Sequence, residues 1–310
     1  MTQPAGAPGA ASSSRISLAA RIARAALRVG RVIPPRFAWW CGAVIGDAVG
    51  RLPLRDCRRA RTHLAHAFPE RGPRWATRTA RRTFRHFGRM ALWTIAIAER
   101  DPRTLARGIA VEGADNLRAA ARAHRRGEGA VGLSGHFGNW ELLARVGGAV
   151  LPLALVGRRL RDPGLDALVV DLRRGGTGRL IYQDEGVRPC LRALRDAYLL
   201  STLPDQDVPR LAGTFASWFG HPAWTPIGPA QIALMARVPV MPVFLYARAG
   251  RWVVHWGPRI RWPASGDRDA DAHAITCWIS AYEEALVRRH PEQWVWWHKR
   301  WRTQPPGPAR

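Results

Sequence analysis

Hydrophobic and polar positions follow two different patterns along the chain. In residues 15–33 and 55–107, apolar side chains recur at helical spacing among many arginines, so the pattern predicts helices there. From about residue 109, short apolar runs alternate with stretches of helical periodicity. Because alternating strands and helices build parallel sheets, we expect an α/β fold with a mainly parallel or mixed central sheet flanked by helices.

The predicted elements divide the chain into one functional domain with tails. We expect a disordered tail (1–14), an N-terminal helical, membrane-facing region (15–107), an α/β core (108–303) and a Pro-rich tail (304–310). The predicted strands are GAVGLSG (129–135), PLALVG (152–157), LIYQ (180–183), YLLSTLPDQD (198–207), VPVMPVFLYA (238–247) and WVVHWGP (252–258). The predicted helices of the core are 139–150, 163–176, 186–197, 228–238 and 271–289.

The first predicted helix, over residues 15–33, has two opposed stripes. The cationic stripe is Arg21, Arg24, Arg28 and Arg31, and the apolar stripe is Leu18, Ile22, Val29 and Ile33. Such a helix suits the headgroup region of an anionic leaflet, although an ordinary surface helix would turn the same apolar stripe toward the core. Trp39 and Trp40 follow closely and favour the interfacial interpretation.

Composition limits the function classes. The 48 basic and 23 acidic residues give a formal net charge of +25, which attracts anionic lipid, nucleic acid or acidic proteins. The arginines are spread along the chain without a helix-turn-helix, RNP or zinc pattern, so we expect no nucleic-acid partner. The four cysteines lie far apart and indicate a reducing compartment. No apolar run reaches the ~20 residues that span a bilayer.

The stretch GLSGHFGNWELLA carries the candidate chemistry. His136 follows a predicted strand, Asn139 is a candidate helix N-cap, and Glu141 falls in the first helical turn. A carboxylate folded back onto the imidazole would fix its tautomer and make the free ring nitrogen a general base. Gly135 and Gly138 would leave room for substrate. A lone histidine beside a glycine can equally be structural, so spacing alone leaves both interpretations open.

Two rival chemistries fit this stretch poorly. Ser134 would need the G-x-S-x-G turn of a nucleophile elbow, but position 136 is histidine rather than glycine. A metal centre would need a second histidine or cysteine at ligand spacing, and the stretch has none. We therefore expect neither a metal nor another cofactor, and the remaining chemistry is proton abstraction.

Further blocks give the chain a family resemblance. They are VGRRLRDPGLD (156–166), LPDQD (203–207), GTFASWFGHPAWTPIGPAQIALMARVPVMPVF (213–244) and HPEQWVWWHKRW (290–301). Together with HFGNWELL they resemble, in order and spacing, the bacterial lipid A late acyltransferases of the lauroyl/myristoyl type. That family lies within the H-x4-[D/E] lysophospholipid acyltransferase superfamily, and the phosphatidylinositol mannoside acyltransferases are close relatives.

The resemblance implies a reaction and roles. A fatty acyl chain would move from an acyl carrier protein or coenzyme A thioester to a hydroxyl of a membrane glycolipid, such as a lipid A precursor. His136 would be the general base and Glu141 would orient it. The implied substrate-binding residues are Arg158, which would hold a phosphate, with Gly138, Asn139, Asp205 and Asp207. The two aspartates order the site or simply form a strand-end turn.

The resemblance also implies a location and leaves alternatives. We expect a monomer attached peripherally or monotopically to the cytoplasmic face of the bacterial inner membrane, with anionic lipid and an acyl carrier protein as partners. The acceptor could instead be phosphatidylinositol mannoside or an aminolipid. In a different class, the protein would be a membrane-binding scaffold without catalysis. ASWF at residues 216–219 departs from the VPFF of the family, which puts chain length in doubt.

Overall fold

A computed structural model describes residues 17–30, 32–173 and 178–306. The helices are α1 (Leu18–Gly30), α2 (Pro35–Val49), α3 (Arg55–Ala67), α4 (Gly72–Ala96), α5 (Pro102–Arg107), α6 (Ala114–Arg125), α7 (Trp140–Val150), α8 (Pro163–Arg173), α9 (Arg188–Arg195), α10 (Gly228–Ala236) and α11 (Arg268–Arg289). The strands are β1 (Ala110–Glu112), β2 (Ala130–Leu133), β3 (Leu153–Gly157), β4 (Arg179–Tyr182), β5 (Leu199–Thr202), β6 (Gly213–Trp218), β7 (His221–Pro226), β8 (Val240–Arg248) and β9 (Arg251–Trp256). The predicted tail 1–14, Arg31 of the cationic stripe and the end of the predicted C-terminal tail (307–310) lie outside the described residues.

A seven-stranded sheet forms the centre of the fold, in the order β1-β9-β8-β2-β5-β3-β4. All neighbours pair in parallel except β8 and β9, which form an antiparallel hairpin. Helices cover both faces, because successive side chains of a strand point to opposite sides. In β2, for example, Ala130 and Val131 are buried in two different hydrophobic clusters. The predicted mainly parallel, helix-flanked sheet is confirmed.

Three differences separate the predicted from the observed strands. Strand β1, which pairs with β9, was not predicted. The predicted strand 198–207 ends as β5 at Thr202, so its PDQD segment is a loop beyond the strand. A second, two-stranded antiparallel sheet of β6 and β7 was not predicted. Its sequence contains Pro222 and Pro226, and proline within an apolar run argues against a strand. Here the prolines are tolerated because the hairpin has only two strands, and both lie at an edge.

Helix α4 connects α2 to the turn that follows β2, and Trp39 of α2 also contacts Trp252 of β9 directly, with ring centroids 5.5 Å apart. Helix α2 lies so close to α4 that a Cβ atom at Gly42 would overlap the carbonyl oxygen of Gly88, and one at Gly46 would overlap that of Phe84. On the far side of α4, Nε2 of His86 donates to the carbonyl oxygen of Gly138, 3.3 Å away. Burial lowers the pKa of His86 to about 4, so this imidazole is neutral. Helix α4 therefore joins α2 to the turn that follows β2.

The first two helices leave apolar side chains exposed. On α1 the predicted apolar stripe faces outward, since Leu18, Ile22 and Val29 are exposed rather than packed on the core. On α2, Phe37, Trp40, Val44 and Ile45 are exposed on the side opposite the buried glycines. Within the described ranges, no helix is both long and apolar enough to cross a membrane.

The close contact of α2 with α4 makes Gly42→Ala destabilising. We expect a loss of about 1–3 kcal/mol in the free energy of unfolding, because backbone atoms cannot move aside for the added methyl group. Thermal unfolding followed by circular dichroism measures the loss. Gly228→Ala is the matched control, since a Cβ atom there meets no neighbour within 4 Å. Equal melting temperatures of the two variants would contradict the tight helix crossing.

Candidate functional site

Three strand ends meet at one edge of the sheet. His136 follows β2, Asp205 follows β5, and Arg158 follows β3 directly. These strands are parallel neighbours in the order β2-β5-β3, so their carboxyl ends lie side by side. Ligands of open α/β sheets bind at such an edge. The predicted position of His136 at a strand end is confirmed.

A carboxylate holds the His136 turn at two points. The backbone N–H of His136 donates to Oδ2 of Asp205 at 2.8 Å, and Nδ1 of its ring lies 2.8 Å from Oδ1. The side chain of Asp205 is completely buried, whereas that of His136 is 25% exposed. The imidazole is thus fixed from within the protein and reaches solvent on its other side.

The charge of Asp205 is compensated by its neighbours. Trp294 adds a third hydrogen bond, from its indole Nε1 to Oδ2 at 3.0 Å. Burial opposes ionisation of Asp205, but the adjacent His136 lowers the pKa of the carboxyl group to about 2. An ionised Asp205 can only accept hydrogen bonds, so Nδ1 of His136 carries the proton.

The other ring nitrogen of His136 is left free. Nε2 then holds the lone pair, and among the described residues no side chain or backbone group hydrogen-bonds to it. The Trp140 ring packs edge-on against the imidazole, with ring centroids 5.1 Å apart. An oriented imidazole whose outer nitrogen has no protein partner and faces solvent has the geometry of a general base.

The predicted contact of Glu141 with the His136 ring is wrong. Arg173 at the end of α8 binds both carboxylate oxygens of Glu141, from Nε at 2.9 Å and Nη2 at 2.6 Å. Trp140 donates its indole N–H to Oε1 at 3.0 Å. The first turn of α7 directs Glu141 toward α8, while Asp205 already occupies Nδ1 of His136. Glu141 therefore reaches His136 only through the Trp140 ring.

Gly138 and Asn139, both predicted to bind substrate, are engaged by the protein itself. Gly138 has φ +63°, and a Cβ atom there would overlap the carbonyl oxygen of Leu245 in β8. Asn139 is fully buried, and its side chain accepts the backbone N–H of Leu142 at 2.9 Å. Asn139 is thus the helix N-cap that its sequence position predicted. The small size of Gly138 serves packing against β8, not clearance for a ligand.

Asp207 orders the C-terminal segment. Its buried carboxylate accepts the backbone N–H of Thr303 at 2.6 Å and the Thr303 hydroxyl at 2.9 Å. Arg302 donates to the carbonyl oxygen of Asp207 at 3.0 Å. Both aspartates of the PDQD loop therefore order neighbouring segments, and this fits the ordering role better than a simple strand-end turn. Because the carboxylate of Asp207 is buried and engaged within the protein, none of its surface is left for substrate.

The C-terminal segment closes the site from the other side. The backbone N–H of Gly138 donates to the carbonyl oxygen of Gln293 at 2.8 Å. The side-chain amide of Gln293 in turn pairs with both backbone groups of Ala247 in β8, at 2.9 Å and 2.7 Å. Next to it, Trp294 contacts Asp205. The PEQW block is thus a clamp that holds the His136 turn against the sheet.

Arg158 is available at the rim of the site. It is exposed at the end of β3, and within the described residues no carboxylate lies within ion-pairing distance of it. The next residue differs, since Arg159 pairs with Asp184 and Glu185. With one strand between β3 and β2, the two strand ends are about 10 Å apart. An unpaired guanidinium at that distance is suited to a phosphate of a bound ligand.

Sequence reasoning missed the partner of His136, although it selected Asp205 as a site residue. The signal was present, because the PDQD segment follows a predicted strand just as the histidine does. These two strand ends are neighbours because β5 lies beside β2 in the sheet. The order of the strands cannot be predicted from either stretch of sequence. Trp294 was missed as a site residue for the same reason.

Comparison with known proteins identifies the family of this chain. The family described as bacterial lipid A biosynthesis acyltransferase matches residues 13–303. The lipid A biosynthesis myristoyltransferase of Escherichia coli K12 is 26% identical over 282 residues, covering 88% of this chain and 84% of the relative. The lipid A biosynthesis lauroyltransferase of the same organism is 27% identical over 277 residues, covering 86% and 87%.

A third relative comes from another lineage. The phosphatidylinositol mannoside acyltransferase of Mycobacterium tuberculosis CDC 1551 is 28% identical over 211 residues, covering 64% of this chain and 62% of the relative. All three relatives carry acyltransferase names, and the matched region contains the His136 turn, the PDQD loop and the PEQW clamp. The chain belongs to the bacterial lipid A biosynthesis acyltransferase family and is an O-acyltransferase.

Proposed function

We propose that the protein transfers a fatty acyl chain from a thioester to a hydroxyl of a membrane glycolipid, with a lipid A precursor as the acceptor. The single observation that carries this proposal is the free Nε2 of His136, whose Nδ1 is fixed by buried Asp205. The names of the relatives support lipid A as the acceptor. The acyl donor is a carrier-protein or coenzyme A thioester, and the charge of +25 suits docking of an acidic carrier protein.

In the proposed reaction, one proton is transferred twice. Nε2 of His136 takes the proton of the acceptor hydroxyl while its oxygen attacks the carbonyl carbon of the thioester. The new C–O bond forms, the C–S bond breaks, and the proton on Nε2 passes to the departing sulfur. Asp205 stabilises the imidazolium in between, as a carboxylate at Nδ1 does in catalytic triads. Histidine ends in its starting state, and no covalent acyl-enzyme is formed.

Arg158 and Glu141 have supporting roles in this proposal. The unpaired guanidinium of Arg158 binds a phosphate, either of the acceptor or of the phosphopantetheine arm of the donor. Glu141 acts on His136 indirectly. Its ion pair with Arg173 and its hydrogen bond from Trp140 hold the Trp140 ring in place, and the His136 ring packs against that ring. Glu141 is therefore a positioning residue, and Asp205 is the group that orients the base.

Removing the base or its partner should stop turnover. We expect His136→Ala to abolish transfer of a radiolabelled acyl chain to the lipid acceptor. Asp205→Asn should lower the rate by ~10²-fold or more, the usual scale for losing general-base support. Asp115→Asn, an exposed carboxylate on α6, is the matched control and should retain full activity. Unimpaired transfer by His136→Ala would end the general-base proposal.

The indirect role of Glu141 predicts non-additive losses. Glu141→Gln and Arg173→Gln should each reduce the rate by a similar factor, because each breaks the same ion pair. The double variant should then be no slower than the slower single variant. Rate measurements on the two single variants and the double variant test whether the losses are additive. If Arg173→Gln were fully active while Glu141→Gln were not, Glu141 would act on the site without Arg173.

Membrane attachment through the N-terminal helices is part of the same proposal. The exposed apolar faces of α1 and α2 define a lipid-docking surface, and α4 supplies exposed arginines at its edge, including Arg78 and Arg82. Phe87 of α4 contacts Trp140 with ring centroids 5.7 Å apart, so the site lies one helix away from this surface. The surface suits peripheral or monotopic binding to the anionic cytoplasmic face of the inner membrane.

A carboxylate on this surface should weaken membrane binding. Trp40 and Ile45 are 62% and 55% exposed, so Trp40→Glu and Ile45→Glu should leave the fold intact. Each removes roughly 1.5–3 kcal/mol of apolar burial, which corresponds to about tenfold or more in affinity for vesicles containing phosphatidylglycerol. Vesicle flotation measures the bound fraction. Met235→Glu, at an exposed position of α10, is the control. Equal losses in all three variants would count against the docking surface.

The acceptor is decided by the lipids of a deletion strain. Mass spectrometry should find a lipid A species that lacks one acyl chain. A phosphatidylinositol mannoside or an aminolipid lacking a chain would instead favour that alternative acceptor. Unchanged lipids, together with vesicle binding but no transfer by the pure protein, would favour the scaffold.

A further inference from the structure

A second buried carboxyl group lies behind the His136 turn. Glu283 in α11 is 2% exposed. A Cβ atom at Gly135 would lie 2.7 Å from its Oε2 and would overlap Oε1, so the carboxyl group occupies the space beside the residue that precedes His136. Gly135 was predicted to leave room for substrate. Its lack of a side chain instead admits this carboxyl group.

Few polar groups compensate a charge on Glu283. Its Oε1 is buried without a hydrogen-bond partner, and the group is within hydrogen-bonding reach of Asp205 and of the Trp294 indole. Trp294 donates its one N–H to Asp205. Buried Arg300 faces both carboxyl groups, but its guanidinium donates to the carbonyl oxygen of Trp224 and the hydroxyl of Thr225. An ionised Glu283 would thus be a poorly compensated buried charge.

The surroundings of the two carboxyl groups favour different protonation states. Burial, and then the negative charge of Asp205, raise the pKa of Glu283 well above its usual value. Asp205 instead has His136 and Trp294 as donors, and it stays ionised. Two close carboxyl groups that differ in this way titrate apart, so one is neutral and the other charged.

We infer that Glu283 is a protonated positioning residue whose carboxyl O–H donates a hydrogen bond to Asp205, forming a chain His136–Asp205–Glu283. A donor on Asp205 withdraws negative charge from the oxygen that faces His136. The imidazolium is then stabilised less than it would be beside an unshared carboxylate, which favours the form of the ring that can accept a proton. This inference deepens the base role proposed for His136 and rests on it.

The other titratable groups around the chain do not supply this effect. His298 faces both His136 and Asp205, but burial lowers its pKa to about 4, so it carries no charge at neutral pH. Asp207 is engaged by Thr303, and Arg300 is held by β7. Of the groups that face Asp205, Glu283 is the one that adds an uncharged O–H donor.

The test compares Glu283→Leu, which removes the donor, with Glu283→Gln, which keeps a neutral N–H donor of similar shape. Diethylpyrocarbonate modifies neutral imidazole. Mass spectrometry measures the fraction of His136 that is modified at each pH, and the measurement needs neither substrate nor turnover. We expect Glu283→Leu to move the midpoint of His136 modification about one pH unit higher, because Asp205 then keeps its full negative charge beside the ring. Glu283→Gln should leave it in place. Exposed His273 is the internal reference.

Three outcomes would overturn the inference. An unchanged midpoint in Glu283→Leu would mean that the residue only fills space. A midpoint that moves to lower pH in Glu283→Gln would mean that Glu283 is charged in the wild type. A midpoint that moves to higher pH in this variant would mean that an amide N–H does not replace the hydrogen bond assigned to Glu283. Because the readout needs no turnover, it stands apart from the test of acyl transfer with His136→Ala.

A spectroscopic measurement covers the case in which Glu283→Leu fails to fold. The infrared difference spectrum between wild type and Glu283→Gln at neutral pH should contain the carbonyl band of a protonated carboxylic acid. Carboxylate bands in its place would show an ionised Glu283 and would overturn the inference.

Discussion

The buried carboxylate of Asp205 is the group on which the rest of the site depends. It accepts hydrogen bonds from the backbone and ring of His136 and from the Trp294 indole, and so it joins three separate segments of the chain. A carboxylate buried without partners costs several kcal/mol. The histidine turn, the PDQD loop and the PEQW clamp are therefore stable only together, and none of them is a site by itself.

This constraint explains why the neighbouring small and polar residues serve the fold. Gly138 lets the turn approach β8, Asn139 caps α7, and Asp207 holds the C-terminal segment. The outward face of the imidazole and the exposed strand ends are the parts of this region that remain accessible. Helix α4 backs the same turn through His86, and it also carries α2 with its exposed apolar face. The proposed docking surface and the proposed base thus lie on either side of the same helix, α4.

The sequence predicted the sheet well because parallel strands buried on both faces are short apolar runs, as GAVGLSG and PLALVG are. It predicted His136 and its strand end for the same reason. It misassigned Glu141, since five residues of separation suggest contact, whereas the direction of the first turn of α7 is set by the Asn139 cap and by Arg173 of α8. The order of strands, which brings Asp205 to His136, depends on packing of the whole core and cannot be read locally.

The clamp around Gln293 and Trp294 has a consequence for biosynthesis. His136 and Asp205 leave the ribosome well before residues 291–303, which supply the indole on Asp205 and the backbone contact to Gly138. A nascent chain that already contains both residues of the pair therefore lacks the segment that holds them in place. The His136–Asp205 pair gains these contacts only near the end of synthesis, and a stop codon shortly before residue 291 yields a chain that contains both residues but not the segment that holds them.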